Sequence, residues 1–318
     1  LNHLRNQNSI TTKSEIMKKN FFVIVLLLIV ISQVPFKASG SKIISVEGTN
    51  VFENTLLLCR TIGLDTTIKP GMRIGILVNS DFEVRGAYVS PDVTLAVVKT
   101  CIDAGAAEVV SLQNIKPEYW QRSAHFEKLS RYVKKVRSIE QNTFPSVFDS
   151  VNFVRIDSFP GAPNLKNLEV VREVFEVDYF INIPVAKHHA STILTNAMKN
   201  MMGLNTRAFN VTFHLNGPKR NDPEFLATCI AEMNLVRKPD LIVADVTEVI
   251  TTNGPVGPGE MVKPMRVVAG TDPVAVDAFC ATLLGFNPER VLTVQKGFEL
   301  GLGEKSLDKV LLYEIQGK

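Results

Sequence analysis

Cysteine is scarce in this sequence, with Cys59, Cys101, Cys229 and Cys280 the four in 318 residues. None belongs to a C-x-x-C pair, which argues against an iron–sulfur cluster of the chain's own. Each sits in an apolar helical context such as TLLLCRTIGL or VDAFCATLLGF, so the expectation is four small buried hydrophobes. No spacing predicts a disulfide, although an oxidising compartment would permit one. The one glycine-rich loop, Asn253–Gly259, matches neither a Walker nor a G-x-G-x-x-G pattern. Internal repeats and low-complexity tracts are missing too, and Gly, Pro and Trp are modest, which places the chain among ordinary globular proteins.

Long apolar runs are equally scarce, and the exception is informative. Met17-Lys18-Lys19-Asn20 forms a short basic segment, Phe21 to Ile31 an apolar stretch, and Ala38-Ser39-Gly40 a set of small residues. That order reads as a signal peptide, with Met17 as the expected start, cleavage expected after Gly40 and export to a periplasmic or extracellular space. Crossing a bilayer takes about 20 apolar residues, so an uncleaved anchor is the competing reading and the only route to a membrane partner. Residues 1–40 are therefore set apart from a domain spanning 41–318. The leader holds five basic residues and one acidic residue, which leaves 30 basic and 31 acidic residues in the rest. A net charge near zero gives no case for nucleic acid, whose binding depends on neutralising phosphates.

The remaining chain alternates short apolar runs with amphipathic ones. A helix over Phe52–Ile62 ends at Gly63, a strand covers Arg73–Val78, and Ser90-Pro91 opens a helix that runs to Ala104 and stops at Gly105. Ala107–Leu112 is the next strand, giving one β-α-β unit with a right-handed crossover. The charged segment from Pro117 to Arg137 is helical, and strands follow at Phe153–Ile156, Tyr179–Ile183, Leu241–Ala244 and Arg266–Ala269. Helices are expected over Pro223–Val236 and Pro273–Leu284. This alternation predicts an α/β fold with a mostly parallel sheet flanked by helices, in one domain or two lobes.

Three of the four histidines beyond the leader fall between Ala186 and His214, in a region that begins where an apolar strand ends. Ligands of open α/β sheets bind at the carboxyl ends of strands. The spacing of Thr192, Asn196, Lys199 and Gly203 predicts a helix with one polar stripe, capped by Ser191 or Thr192, its N-terminus aimed at whatever binds beside His188 and His189. A solvated helix face is the alternative. His189 and His214 could ligate a divalent metal, though adjacent histidines on a regular element point apart. Asp81 and Arg85, after the first strand, offer an acceptor and a forked donor, or else a surface ion pair. Asn253 and Gly254 could turn backbone N–H groups toward an anion, or form a plain turn. Asp272 is placed to cap a helix within which Asp277 lies, and an acid/base pair is the other possibility.

At these residues the chain resembles the domain-of-unknown-function 362 family, from about residue 70 to 310. Its motifs stand as Lys187-x-His189, Ala197-Met-Lys199-Asn200-x-x-Gly203, Asn253-Gly-Pro-Val-Gly257, Asp272-Pro-Val-Ala-Val-Asp277 and Gly301-Leu-Gly303. The resemblance implies an α/β domain, often fused to or carrying ferredoxin-like iron–sulfur segments, and no settled reaction. This chain lacks those cysteines, and it has Ser111-Leu-Gln-Asn114 where relatives tend to have a glycine-rich turn. A more distant likeness is to nickel-pincer lactate racemases. There a His stands ten residues before the cofactor-bearing Lys, as His189 precedes Lys199, and another His lies about as far beyond it as His214 does. Asp81 and Arg85 are similar to that family's D-x-x-R with one extra residue, while its further catalytic His has no counterpart between Ser111 and Ile115.

The expected function is an exported enzyme acting on a small anionic or hydroxylated substrate. Lys199, His189 and His214 are the candidate catalytic residues, with Asp81, Arg85, Lys187, Asn200, Asn253 and Gly254 binding substrate. A non-catalytic ligand-binding or redox-partner accessory protein is the alternative.

Overall fold

The computed structural model describes residues 40–139, 148–157 and 161–318. The leader read as a signal peptide lies outside these residues up to Ser39. The described residues form fourteen strands. They are β1 (Lys42–Glu47), β2 (Arg73–Val78), β3 (Glu108–Ser111), β4 (Val136–Ser138), β5 (Phe153–Ile156), β6 (Leu168–Val171) and β7 (Tyr179–Ile183), then β8 (Lys187–His189), β9 (Ile193–Thr195), β10 (Leu241–Val246), β11 (Val249–Ile250), β12 (Met261–Val262), β13 (Arg266–Gly270) and β14 (Leu311–Gln316).

Eight of them form one sheet in the order β14-β1-β13-β10-β7-β2-β3-β4, and β13 alone runs against the other seven. β2 is buried from Ile74 to Val78 and β10 throughout. Continuous burial along a strand means that both faces are covered, and the flanking helices supply that cover. The helices Val51–Ile62, Pro91–Asp103 and Phe126–Val133 pack together, as do Ala197–Asn200, Pro223–Met233, Pro273–Leu283 and Leu292–Glu299. Gly40–Lys318 make one unit, of the two arrangements that length allows. No helix among the described residues is long and apolar enough to cross a membrane.

Local sequence explains most element ends. Gly63 adopts φ 81°, the left-handed conformation that closes a helix, after Ile62. Asp222 and Asp272 cap their helices through the backbone N–H groups of Phe225 (3.0 Å) and Ala275 (2.9 Å). Pro91 opens its helix as expected, but the Ser90 side chain makes no cap bond. Instead the Ser90 backbone N–H donates to Asp245 Oδ2 at 2.6 Å, so the start of that helix is tied to the end of β10. Pro117 to Arg137 breaks into two short helices and β4. The expected strand Phe153–Ile156 exists but pairs antiparallel with β6, apart from the large sheet.

Chain order fixes where a ligand can enter. From β2 the chain moves outward through β3 to β4, then returns to place β7 on the other side of β2. Crossovers leaving two adjacent parallel strands in opposite directions open a crevice beyond their carboxyl ends. In this chain that crevice lies beyond Val78 and Ile183.

All four cysteines are free and buried, as their apolar contexts predict. Folded protein should therefore leave a chromogenic disulfide such as Ellman's reagent unreacted, and denatured protein should release four thiols per chain without prior reduction. A native count above zero, or a denatured count below four, would contradict this arrangement.

Candidate functional site

Lys199 reaches the crevice from the short helix Ala197–Asn200, which continues as a tighter turn over Met201–Leu204. The longer helix expected from Ser191 does not form. Lys187 to Thr195 instead makes the β8–β9 hairpin, with Ile193, the first residue of β9, at φ 66°. A β-branched residue resists that conformation, so surrounding contacts must hold it there. Neither Ser191 nor Thr192 caps a helix. The first N–H groups of the real helix, on Ala197 and Met198, donate to the buried Asp277 carboxylate at 2.8 and 3.3 Å. The helix start expected to face a ligand is thus already occupied. Asp277 and Asp272 act on separate backbone segments, Asp272 receiving Ala275 N–H and Glu304 N–H, so they form no acid/base pair.

The rest of this short helix is held as tightly. Asn182 Nδ2 on β7 donates to Ala197 O (2.8 Å), and Asn234 Nδ2 to Met198 O (3.0 Å). Asn200 Nδ2 donates to Leu77 O on β2 (3.1 Å) and to Asn182 Oδ1 on β7 (2.7 Å), so Asn200 spans the two strands that define the crevice. Leaving one buried partner unpaired costs about 1–3 kcal/mol. Asn182 and Asn234 escaped notice as site residues, and the one local signal was Asn182, a lone polar group in the apolar run of β7. Such a residue must find a hydrogen bond once buried.

A cleft of about 260 Å³ lies beyond β2, β3 and β7. Lys187, Lys199, Asn200, His214 and Asp81 line it, with Asn79, Gln113, Thr195 and Asn210 among the other polar groups. Strand alternation in β8 sets Lys187 and His189 on one face and His188 on the other. Lys187 is fully buried; its Nζ donates to Ala87 O and lies 3.5 Å from the Phe82 ring centroid. Burial, with Lys199 nearby, lowers its pKa from 10.5 to about 6. Burial also takes Lys199, whose Nζ has Met202 Sδ at 3.6 Å, down to about 8. Asp81 is exposed and is the single carboxylate of the lining.

The histidines differ in what they can do. His189 Nδ1 accepts the Ser191 and Thr192 N–H groups at 3.2 and 3.3 Å, which puts the proton of the neutral ring on Nε2. Burial above all, then the neighbouring cations, lower its pKa to about 2, so it stays neutral across the working range. A metal ligated through Nε2 would need the proton on Nδ1, where two donors already point, so His189 does not fit as a ligand. His214 Nδ1 donates to Asn221 Oδ1 at 2.9 Å, leaving Nε2 as an acceptor. Burial and Lys199 hold its pKa below the usual histidine value. Among the described residues no three His, Cys, Asp or Glu side chains converge on a metal position.

Three expected substrate residues lie elsewhere. Arg85 pairs with Glu248 and lines a separate cleft with Tyr88, Ser90, Arg122 and Asp245. The turn at Gly86 brings this loop against β11, where Ile250 N–H donates to Gly86 O, and so carries Arg85 away from Lys199. Asn253 closes its own loop through Pro258 O (3.2 Å). Gly254 N–H donates to His188 Nδ1 (3.0 Å) rather than facing a ligand, and a Cβ there would stand 1.8 Å from His188 O, which only glycine avoids.

Residues 67–282 match the family described as a domain of unknown function (DUF362), and the chain belongs to that family. A protein of Synechocystis sp. (strain ATCC 27184 / PCC 6803 / Kazusa), named as thylakoid-associated, is 22% identical over 249 residues, covering 76% of this chain and 71% of that protein. The lactate racemase apoprotein from Thermoanaerobacterium thermosaccharolyticum superposes with a TM-score of 0.44 at 12% identity. That superposition covers 80% of this chain, which spans 56% of the racemase chain.

Lys187 gives the site a measurable signature in stability. Its amine titrates near 6 when folded and near 10.5 when unfolded, so between these values only the unfolded chain holds the proton. Stability should fall as pH drops from 10.5 toward 6, and change no further on this account below 6. Lys187→Met should remove that slope, so that its advantage over the wild type in urea midpoint grows as pH falls through this window. A midpoint difference independent of pH would show that the amine is not buried uncharged.

Proposed function

We propose that the crevice beyond β2, β3 and β7 is the active site of an enzyme acting on a small anionic or hydroxylated substrate. The observation that carries this reading is Lys199, held by a buried polar network at the crevice and facing no carboxylate partner among the described residues. A cation without a counter-ion in a cleft favours an incoming anion, or negative charge that develops on a bound oxygen. His214 Nε2 is the available base, because Nδ1 is committed to Asn221. His189 is held neutral and does not line the cleft, so it takes no part in this reading. Gln113 Nε2 donates to Gly203 O at 3.0 Å and closes the β3 side of the cleft.

Charged hydrogen bonds contribute about 1.5–3 kcal/mol, so Lys199→Met should weaken the binding of small carboxylates and phosphates by roughly tenfold or more in calorimetry. Lys199→Arg should retain part of that affinity. His214→Gln should leave binding within a few-fold of the wild type and abolish turnover of the bound compound followed by NMR. Unchanged affinity in a folded Lys199→Met protein would overturn the site. Turnover that survives His214→Gln would remove the base.

We also propose that the site works outside the cytoplasm, on the strength of the leader. Ser41, the first residue after the expected cut, donates through Oγ to Asp272, and β1 begins at Lys42, so cleavage after Gly40 leaves the sheet intact. N-terminal sequencing of the exported form should begin at Ser41, and material retained in the cytoplasm at full length would reject export.

A further inference from the structure

The two amines of the cleft differ in a way that points to a reaction. Lys187 is closed in, its Nζ occupied by Ala87 O and by the Phe82 ring, whereas Lys199 is partly exposed and lines the open cleft with only a thioether near its Nζ. Neither has a carboxylate against it among the described residues, and Asp81, the single acid of the lining, is exposed to water. A lysine that is desolvated in a pocket favours the free amine, and the free amine is a nucleophile for carbonyl carbon. The clamp on Ala197–Asn200 adds the orientation that such an attack requires.

We propose that Lys199 Nζ forms a Schiff base with a small 2-oxo acid bound in this cleft. The proposal rests on the cleft being the active site, and it names the substrate class. An incoming carboxylate meets the Asn79, Asn210 and Thr195 side chains of the lining, while a carbonyl one bond away meets Lys199. The Nζ lone pair attacks the carbonyl carbon, the C=O π pair moves onto oxygen, and that oxygen gains a proton as nitrogen loses one, giving a carbinolamine. Loss of the hydroxyl with a second proton releases water and leaves a C=N bond. His214 Nε2 accepts and returns these protons, and no oxidant or reductant takes part. The depressed pKa of Lys199, about 8, leaves free amine available near neutrality.

The test is reductive trapping on the full chain at neutral pH, with pyruvate, glyoxylate or 2-oxoglutarate and sodium borohydride, read by intact mass and peptide mapping. A hydride added to the imine carbon makes the adduct permanent, and with pyruvate the chain gains pyruvic acid less one oxygen atom. One adduct per chain, on the peptide containing Lys199 and lost in Lys199→Arg, is the expected result. Mapping of the wild-type adduct keeps the test valid should that variant fold poorly. Calorimetric binding of the same oxo acids without an adduct would overturn the Schiff base while leaving the active-site reading intact. Neither binding nor trapping with any of the three, or adducts scattered over exposed lysines, would also overturn it.

Discussion

The structure depends on one buried polar network that turns a four-residue helix into a rigid platform. Ala197–Asn200 is far too short to be stable alone, since helix nucleation is costly and isolated helices need about a dozen residues. Asp277, Asn182 and Asn234 each hold its backbone, and Asn200 reaches back to β2 and β7. Desolvation pushes the Asp277 carboxyl up to about 8 even though two N–H donors pull the other way. The amide N–H donors and Asp277 carry the clamp, for Asn234 Oδ1 is buried without a hydrogen-bond partner among the described residues. Losing Asp277, Asn182 or Asn234 therefore both unpairs backbone and frees Lys199 to move.

That platform is placed by topology. Because the chain runs from β2 out to β4 and then back to β7, the crevice opens between two buried strands. Asn200 bridges them at the site, which ties the position of Lys199 to the sheet rather than to a loop. The loop after β2 supplies Asp81 and Phe82, and the turn after β3 supplies Gln113. Gln113 packs closely on Gly203, where a Cβ would lie 2.2 Å from Nε2, so a larger residue there would displace the Gln113 amide from the cleft wall.

Much of this was legible in the sequence where local signals agreed with burial. β2 and β7 follow from apolar runs, and the ends of the helices follow from Gly63, Pro91 and Asp272. β1 and β14 were not. β1 is buried from Ile43 to Val46 but follows directly on the leader, whereas β14, at the edge of the sheet, is mostly exposed, with Leu311, Leu312 and Tyr313 open to solvent, and lacks the buried pattern that marks a strand. Lys199, Lys187, Asn200 and His214 are brought together as the motif spacing suggested. The element carrying Lys199 was misread because a 3.6-residue period fits Thr192 to Gly203, and nothing local reveals that Lys187–Thr195 folds back on itself. Arg85 was misplaced for a similar reason, since its partner Glu248 lies far along the chain.

The cleft is also where local and global rules conflict, and such conflicts mark sites rather than scaffolds. A buried lysine ordinarily has a carboxylate beside it, because transferring a lone charge out of water is costly. Lys187 has a carbonyl and an aromatic face instead, and Lys199 a thioether. Elsewhere the same chain pairs its cations freely, as in Arg73 and Arg137 with Glu108 and Glu173. Scarcity of acids therefore does not explain the bare lysines. A structural role would be served as well by methionine or leucine at either position, and with less loss of stability. What the amines supply, and an apolar side chain cannot, is attraction for an anion and a lone pair for a carbonyl. On the proposed function, that is the reason for two amines in the cleft.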